Sequence, residues 1–225
     1  MSKGYSSQLD NRLNLCAEFV RDGAKIADIG TDHAYLPVWL CRIGKCPSAI
    51  AADINPDPLK RGKQTIIEAN MSELVKTRLS DGLKEIGQDE ADDIVIAGMG
   101  GELIARILSD WEFSKDSSKH FILQPMTKAE VLIKWLCDNG YEILKQDCCI
   151  AAKKCYTVLL VKYTGEILAR DESFYYLAKL TPTKKETHLQ FVRSQINRLL
   201  KQANGDVRFA ALANKLEESI NDNNK

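Results

Sequence analysis

The sequence lacks the cysteine spacings that metal sites require. Its 225 residues include seven cysteines, an odd number, and no two of them form a C-x-x-C pair. A structural zinc site needs regular short spacings, so the sequence predicts no metal centre. Several of the cysteines lie in apolar runs, which is typical of reduced, buried or half-buried thiols in a cytosolic protein.

Long apolar runs and an excess of one charge are also missing. No stretch approaches the roughly 18 apolar residues of a membrane-spanning helix, and "MSKGYSSQLDNRLN" at the start has no signal-peptide core. We therefore expect a cytoplasmic protein without a membrane partner. Lys+Arg and Asp+Glu both number 31, so the formal net charge is zero and any nucleic-acid-binding surface has to be local.

The first strand-to-helix turn lacks most of the glycines of a dinucleotide-binding fingerprint. In "DIGTDHA" (28–34) a single glycine, Gly30, follows an acidic residue, and Asp32 replaces the second glycine of G-x-G. A carboxylate there would repel a pyrophosphate, which disfavours an NAD-dependent oxidoreductase. Asp28 and Asp32 suit a cationic cofactor without phosphates, although an ordinary polar turn has the same composition.

What the sequence does have is a repeated alternation of strand and helix patterns. Five such alternations end near Gly140, and two strands joined by a turn at Lys153 follow over 141–163. We predict an α/β fold, a doubly wound Rossmann-like sheet with an antiparallel closing hairpin. The first helix is expected to follow Ser7, and this domain spans residues 1–163.

Residues 164–225 form a second predicted domain, a C-terminal helical, coiled-coil-like hairpin. Apolar residues repeat at 3-4 spacing from Leu189 to Ala203, and a lead-in helix is expected within 173–182. The seam can pair within the chain or between chains, so we expect a monomer or a weak dimer. The exposed face is basic, and both an RNA contact and simple solvation remain open. The basic residues of this face are Lys184, Lys185, Arg193, Arg198, Lys201 and Arg208.

Ligands of such sheets bind beyond the carboxyl ends of the strands, which selects five loops. The second strand ends at Asp53, whose carboxylate can accept hydrogen bonds from ribose hydroxyls. The alternative for Asp53 is a helix cap, for which Asn55 is better placed. The third loop offers Asp81 to the exocyclic amine of a purine, but on its own it also fits a simple turn.

The fourth loop, "AGMGGE" (97–102), has three glycines within four residues. Glycines there leave a shallow floor on which a planar base can lie, whereas a tight strand-to-helix turn needs only one or two of them. The fifth loop places Gln124 and Pro125 on the opposite wall. The five loops together therefore predict a site that holds a cofactor and a base side by side.

These loops resemble those of the class I S-adenosylmethionine-dependent methyltransferases, whose sheet also closes with a hairpin. The chain further resembles the bacterial tRNA (adenine-22-N1)-methyltransferase family over residues 5 to 215. The motifs that carry this resemblance are "LDNRL", "DIGTDHAYLP", "AADINPDPL", "DGL", "DDIVIAGMGGELI", "LQPM" and "WLCDNGYEI". The resemblance implies S-adenosyl-L-methionine as cofactor, tRNA as partner, and in-line attack of a flipped adenine on the methyl group.

The resemblance also implies roles for individual residues. Asp28 would favour the cationic product base, and Arg12 would clamp a phosphate or the target base. The residues implied for the methionine part of the cofactor are Asp28, Gly30, Thr31, Asp32 and His33. Those implied for its nucleoside are Asp53 at the ribose, Ile54 and Asn55 beside the adenine, and Asp81 and Gly82 at the adenine edge. Near the methyl group and the incoming base would lie Gly98, Met99 and Gly100, with Ala97 beside the cofactor. Tyr35, His33 and Met99 would be stacking or wedging groups, and the alternative for His33 is a structural hydrogen bond.

Three other functions are compatible with parts of this pattern. One is a methyltransferase for another RNA, a protein or a small molecule; the basic tail disfavours the protein and the small molecule. Another is a cofactor-binding RNA-interaction protein without catalysis, which the intact Asp28, Gly30 and Asp53 disfavour. The oxidoreductase is disfavoured by Asp32. Asp28→Ala is expected to abolish methyl transfer in the main interpretation.

Overall fold

The computed structural model describes residues 9–167 and 169–221, in which a seven-stranded sheet is flanked by helices. The strands are β1 (Ile26–Ile29), β2 (Ala49–Asp53), β3 (Val75–Leu79), β4 (Asp93–Gly100), β5 (His120–Thr127), β6 (Tyr141–Ala151) and β7 (Lys154–Tyr163). The helices are α1 (Asn11–Phe19), α2 (Tyr35–Arg42), α3 (Pro56–Glu68), α4 (Gly101–Ser109), α5 (Ala129–Asp138), α6 (Phe174–Leu177), α7 (Glu186–Gln202) and α8 (Arg208–Asn221). A short 3-10 helix spans Gln88–Glu90.

The strand order is β3-β2-β1-β4-β5-β7-β6. Strands β1 to β5 run parallel, and β7 pairs antiparallel with both β5 and β6. The chain winds outward from β1 in one direction and from β4 in the other, so the switch point lies between these two strands. The predicted doubly wound sheet with an antiparallel closing hairpin is confirmed, and its switch point is where such sheets bind ligands.

Two apolar cores cover the two faces of the sheet. One contains Ile94, Ile104 and Phe121, and the other contains Ile26 and Leu36, all of them almost fully buried. Strand β1 is buried at every position, because parallel strands covered by helices on both faces have no solvated side. The carboxyl ends of β1 and β4 are therefore held on a rigid support.

Helix α1 is shorter than predicted. The expected start after Ser7 falls outside the described residues, and within them the helix begins at Asn11. Asp10 is its N-cap, and the Asp10 carboxylate accepts hydrogen bonds from the backbone N–H groups of Arg12 and Leu13. Val20, expected on the apolar stripe of the helix, is buried just beyond its end.

The C-terminal helices form a hairpin that packs against the sheet. Its core joins residues of α7 and α8, such as Leu199 and Leu216, to Cys148 of β6. The apolar seam is therefore buried within the chain. Its membership differs from the prediction, because Phe191 is buried in it whereas Leu189 is only half-buried. The lead-in helix is a single turn, α6, rather than the longer helix predicted.

A cluster of hydrogen-bonded polar side chains, formed by Asp147, Lys185 and His188, links the hairpin to β6, and we call it the latch. Asp147 accepts hydrogen bonds from Lys185 Nζ at 2.5 and 2.6 Å and pairs with His188 Nε2 at 3.0 Å. Because the backbone N–H of Thr181 donates to His188 Nδ1, the ring proton lies on Nε2 and faces Asp147. Burial acts to raise the pKa of Asp147, but hydrogen bonds from Lys185, the backbone of Cys148 and His188 bring it below its usual value.

Two observations bear on the predictions about membranes and cysteines. Across 9–167 and 169–221, none of the helices combines the length and the apolar character needed to cross a bilayer. The seven cysteines are all unpaired, five of them buried and two half-buried, as the sequence predicts. The division into domains 1–163 and 164–225 stays a prediction, as does the oligomeric state.

Candidate functional site

A cavity of about 410 Å³ opens at the carboxyl ends of β1 and β4. We call it the edge cavity. Its lining residues are Asp10, Arg12, Leu13, Asp28, Gly30, Thr31, Asp32, His33, Ala34, Tyr35, Leu36, Ala97 and Gly98. A somewhat larger cavity of about 480 Å³ lies between α1, α2 and β6, away from the strand ends. We place the site in the edge cavity because it occupies the switch point of the sheet.

Asp28 is the buried acid of the edge cavity. It lies in β1 next to the strand's last residue and is only 7% exposed. Burial, with a smaller contribution from the nearby Asp53 carboxylate, raises its pKa to about 6, against a lowering effect of the Thr31 hydroxyl. A carboxylate so short of solvent gains most when a cation binds beside it.

Gly30 permits the close approach that shapes the floor of this cavity. Its φ is +78°, and a Cβ added there would overlap Cε of Met99. Thr31 Oγ1 accepts a hydrogen bond from the backbone N–H of Ala34 at 3.1 Å, and Ala34 itself adopts a left-handed conformation. The turn is therefore fixed by local hydrogen bonding, while Met99 lies across the end of β1.

Asp32 and His33 contact each other, and Asp32 also has a partner that the sequence did not indicate. Arg61 of α3 donates to Asp32 Oδ1 at 2.5 Å, and His33 Nε2 lies 3.3 Å from Asp32 Oδ2. The His33 ring stacks on Tyr35, with centroids 5.0 Å apart and planes 8° from parallel. These residues form the exposed rim of the edge cavity, and the Arg61 guanidinium balances the Asp32 charge.

The residues predicted for the nucleoside form a neighbouring row beyond β2 and β3. Asp53 Oδ1 accepts a hydrogen bond from the backbone N–H of Asn55 at 2.7 Å, while the Asn55 side chain makes no capping bond. Ile54 is 58% exposed, an unusual exposure for an apolar side chain at a strand end. Asp81, followed by Gly82, is also exposed and pairs with Lys84 at 2.5 Å. None of these side chains lines the edge cavity, whose lining comes from α1 and its N-cap, β1, the turn after β1, α2 and β4.

The glycine-rich segment belongs to a strand and is not the loop that the sequence predicts. Strand β4 continues through Gly100 and pairs with β5, with register shifts on both sides of Met99. Gly98, at φ +80°, forms this bulge, and its backbone N–H donates to Gln124 Oε1 at 3.1 Å. Gln124, predicted on the wall opposite the glycine-rich loop, is completely buried and lies behind the bulge. Pro125 is buried as well and pairs with Met99 across the strands.

Arg12 is held in place by three different groups. Its Nε and Nη2 donate to Asp10 Oδ2 at 3.2 and 2.6 Å, and its Nη1 lies 3.1 Å from Sδ of Met126. Its Cζ is 5.5 Å from the centre of the Tyr156 ring. Asp10 was missed by the sequence analysis, although an Asp directly before an apolar helix is a recognisable N-cap signal.

The basic residues predicted in the tail divide into two groups. Lys185 belongs to the latch with Asp147, and Arg198 is half-buried, with Nη2 2.8 Å from Glu130 Oε2. Arg198 therefore does not belong to the exposed face, since it joins α7 to α5. Lys184, Arg193 and Lys201 are exposed, and among the described residues none of the three forms an ion pair.

No group of three or more potential metal-binding side chains comes together in the part of the chain that the structure describes. The edge cavity presents four kinds of chemical group of its own. These are the buried carboxyl of Asp28, the fixed cation of Arg12, the stacked rings of the rim and the backbone of the β4 bulge.

Comparisons with known proteins indicate the family of the chain. Residues 9–159 match the model of a methyltransferase domain family. The tRNA (adenine(22)-N(1))-methyltransferase of Bacillus subtilis is 31% identical over 93% of this chain and 94% of its own length. A putative tRNA (m1A22) methyltransferase of Streptococcus pneumoniae, solved with S-adenosyl-L-methionine, superposes with a TM-score of 0.85 at 28% identity, covering 95% of this chain and all of that one. The m1A22 tRNA methyltransferase of B. subtilis gives a TM-score of 0.69 at 27% identity, covering 96% and 97% of the two chains.

Proposed function

Because the chain belongs to the family of the bacterial tRNA (adenine(22)-N(1))-methyltransferases, we propose that it methylates N1 of adenine 22 in tRNA, with S-adenosyl-L-methionine as the methyl donor. The observation that carries the proposal is the buried Asp28 carboxyl, which lines a cavity at the switch point of a methyltransferase sheet. With tRNA as its substrate, the enzyme is proposed to act in the cytoplasm.

The residues at the strand ends fit this cofactor. S-adenosyl-L-methionine, when bound, supplies an electrophilic methyl group on a positively charged sulfur. The edge cavity has a buried acid but no glycine-rich cradle for phosphates, which suits a cation without a pyrophosphate. Asp53 has a carboxylate oxygen that the Asn55 backbone does not use, and the exposed Ile54 beside it offers an apolar surface to an adenine.

The protein's part in the reaction is to position and to stabilise charge. Adenine N1 has an available lone pair, so its attack needs no strong general base. Asp28, short of solvent, stabilises the positive charge that the base acquires, because electrostatic interactions are strong in a site that excludes water. Arg12, already held by Asp10, is placed to orient the incoming base or its phosphate.

An assay with labelled cofactor tests the proposal directly. Purified protein, unmodified bacterial tRNA and S-adenosyl-L-methionine labelled in the methyl group should give labelled tRNA, and nucleoside mapping should locate the label at N1 of adenine 22. A transcript with guanine at position 22 serves as the matched control and should take up no label. Absence of label in any tRNA would refute the proposal, while label at another nucleotide would retain the reaction class and reject the target.

The exposed cations of the C-terminal hairpin are proposed to contact the tRNA backbone. Replacing Lys184, Arg193 and Lys201 together by alanine should weaken tRNA binding uniformly and lower the slope of log affinity against log salt by up to about 3. Cofactor affinity should not change, since these side chains lie outside the edge cavity. The measurement is tRNA binding between low and physiological salt.

A control separates a local contact from a general loss of charge. Lys115 is exposed and lies before β5, at the opposite edge of the sheet from the edge cavity. Lys115→Ala should leave the salt slope as in the wild type. If the slope of log affinity against log salt is unchanged in the triple variant, these three side chains do not contact the tRNA and the proposal for the hairpin is refuted.

A further inference from the structure

A further cavity, of about 200 Å³, lies between the carboxyl end of β5 and helix α7. We call it the β5–α7 cleft. Its lining residues are Pro125, Met126, Thr127, Lys128, Ala129, Cys155, Tyr156, Phe191, Gln195 and Arg198. The cleft is thus built from both parts of the chain, the sheet on one side and the C-terminal hairpin on the other.

Arg12 connects the edge cavity with the β5–α7 cleft. This side chain lines the edge cavity, yet it contacts Tyr156 and Met126, which both line the cleft. Because Asp10 holds the guanidinium from the other end, Arg12 is fixed between the two spaces. A ligand in the edge cavity would contact Arg12, and a ligand in the cleft would contact the two residues against which Arg12 is held.

The lining of the cleft has the chemistry of a nucleobase site. Tyr156 supplies an aromatic ring and Met126, 37% exposed, an accessible thioether, and both suit a flat, polarisable ligand. On the opposite wall, Nε and Nη2 of Arg198 are buried and make no hydrogen bond with any described residue. Nη2 lies 2.8 Å from Glu130 Oε2, so this charge is already paired, and the ligand-facing chemistry of the cleft is that of Tyr156 and Met126.

Resting on the proposed function, we propose that the β5–α7 cleft binds the base of the nucleotide adjacent to the target adenine. When a base leaves its stack to reach the edge cavity, the backbone pulls the adjacent nucleotide with it. The base of that adjacent nucleotide then needs a binding position near the edge cavity. Stacking of the neighbour on Tyr156 offsets part of the cost of unstacking the target. Arg12 then contacts the target base, while the residues against which Arg12 is held contact the adjacent base.

Abasic tRNA transcripts test the cleft without changing the protein. Two transcripts, each lacking the base on one side of adenine 22, are compared with the complete transcript by steady-state methylation. For one of the two positions, KM of the wild-type enzyme should rise about 10- to 100-fold, the range of base-aromatic stacking. Tyr156→Leu should cause a rise of similar size with the complete transcript.

The decisive measurement is the coupling between these two changes. With Tyr156→Leu, removal of the same base should have no further effect, because the stacking partner is already absent. Tyr156→Phe retains the ring and should retain the sensitivity to the missing base. If the effects of Tyr156→Leu and of the missing base are additive at both positions, the base does not lie on Tyr156 and the proposal is overturned.

Two controls keep this outcome separate from misfolding and from failure of the proposed function. Tyr163→Leu changes the same residue type at the far end of β7 and should leave KM for tRNA unchanged at matched thermal stability. Cofactor binding by Tyr156→Leu, measured calorimetrically, should equal that of the wild type. If the wild type methylates adenine 22 in the complete transcript but neither abasic position raises KM, the cleft is refuted while the enzyme's function stands.

Discussion

Asp28→Asn is expected to lower the rate of methyl transfer by about 100- to 1,000-fold, an effect of the size seen when one preorganised electrostatic group is removed from an active site. The reason is that Asp28 is the buried carboxylate at the switch point, and asparagine keeps its shape but removes the charge that favours a cation. Single-turnover methylation of tRNA measures the loss. Asp57→Asn, an exposed acid in the first turn of α3, should retain the wild-type rate.

The same substitution should stabilise the folded protein at neutral pH. In the unfolded chain Asp28 loses its proton near pH 3.8, whereas in the folded protein the pKa is raised to about 6. The folded state thus binds more protons between these values, so wild-type stability falls as the pH rises from about 4 to 6. Asparagine removes this cost and should raise the free energy of unfolding by about 1–3 kcal/mol at pH 7, with no gain below pH 4.

Two pH profiles check the assignment. The wild-type kcat/KM for the cofactor, which reports ionisations of the free enzyme, should decline below about pH 6 as Asp28 takes up its proton. The residual activity of Asp28→Asn should lack that decline. A variant that is destabilised at pH 7, or that retains the low-pH decline, would contradict the role of Asp28.

Gly30→Ala is expected to reduce cofactor affinity and stability together. The left-handed backbone at Gly30 costs an L-residue about 1–2 kcal/mol, and the new methyl group would also overlap Cε of Met99. Displacement of Met99 would disturb the floor of the edge cavity, so cofactor binding should weaken by about 10- to 100-fold, since small misplacements at a site have effects of that size. Thermal unfolding and calorimetric binding measure the two effects.

A double substitution separates the steric overlap from the backbone strain. Adding Met99→Ala to Gly30→Ala removes the overlap and should recover part of the stability, leaving the cost of the left-handed conformation. Gly44 provides the matched control, because it has φ +73° and a Cβ there would meet no atom within 4 Å. Gly44→Ala should lose about 1–2 kcal/mol of stability with unchanged cofactor affinity. Equal effects of Gly30→Ala with and without Met99 would show that the contact is unimportant.

The sheet and the first loop could be predicted because their signals are local. The apolar run before Asp28, the single glycine that follows and the alternation of strand and helix patterns depend only on neighbouring residues. The carboxyl ends of parallel strands meet at one edge of a sheet regardless of the details of packing, so Asp28, Gly30 and Ala97 came together as expected.

The glycine-rich segment shows how a local signal can mislead. Three glycines between 98 and 101 predict an open turn, but pairing with β5 extends the strand, and Gly98 serves a bulge instead. Gln124 was placed on the opposite wall of the site because it belongs to the loop after the fifth predicted strand. Its burial depends on the bulge of another strand, which no feature of its own sequence neighbourhood indicates.

The sequence by itself determined the fold class, the edge of the sheet that carries the site and the acidic character of its first loop, since these follow from residue type and short-range periodicity. Only the tertiary structure decided which charges are free. Lys185 and Arg198 read as exposed cations in a helical pattern but are paired with Asp147 and Glu130. Likewise Arg12 meets Met126 across 114 residues of chain, because ion pairs and shared walls depend on long-range contacts that local sequence does not encode.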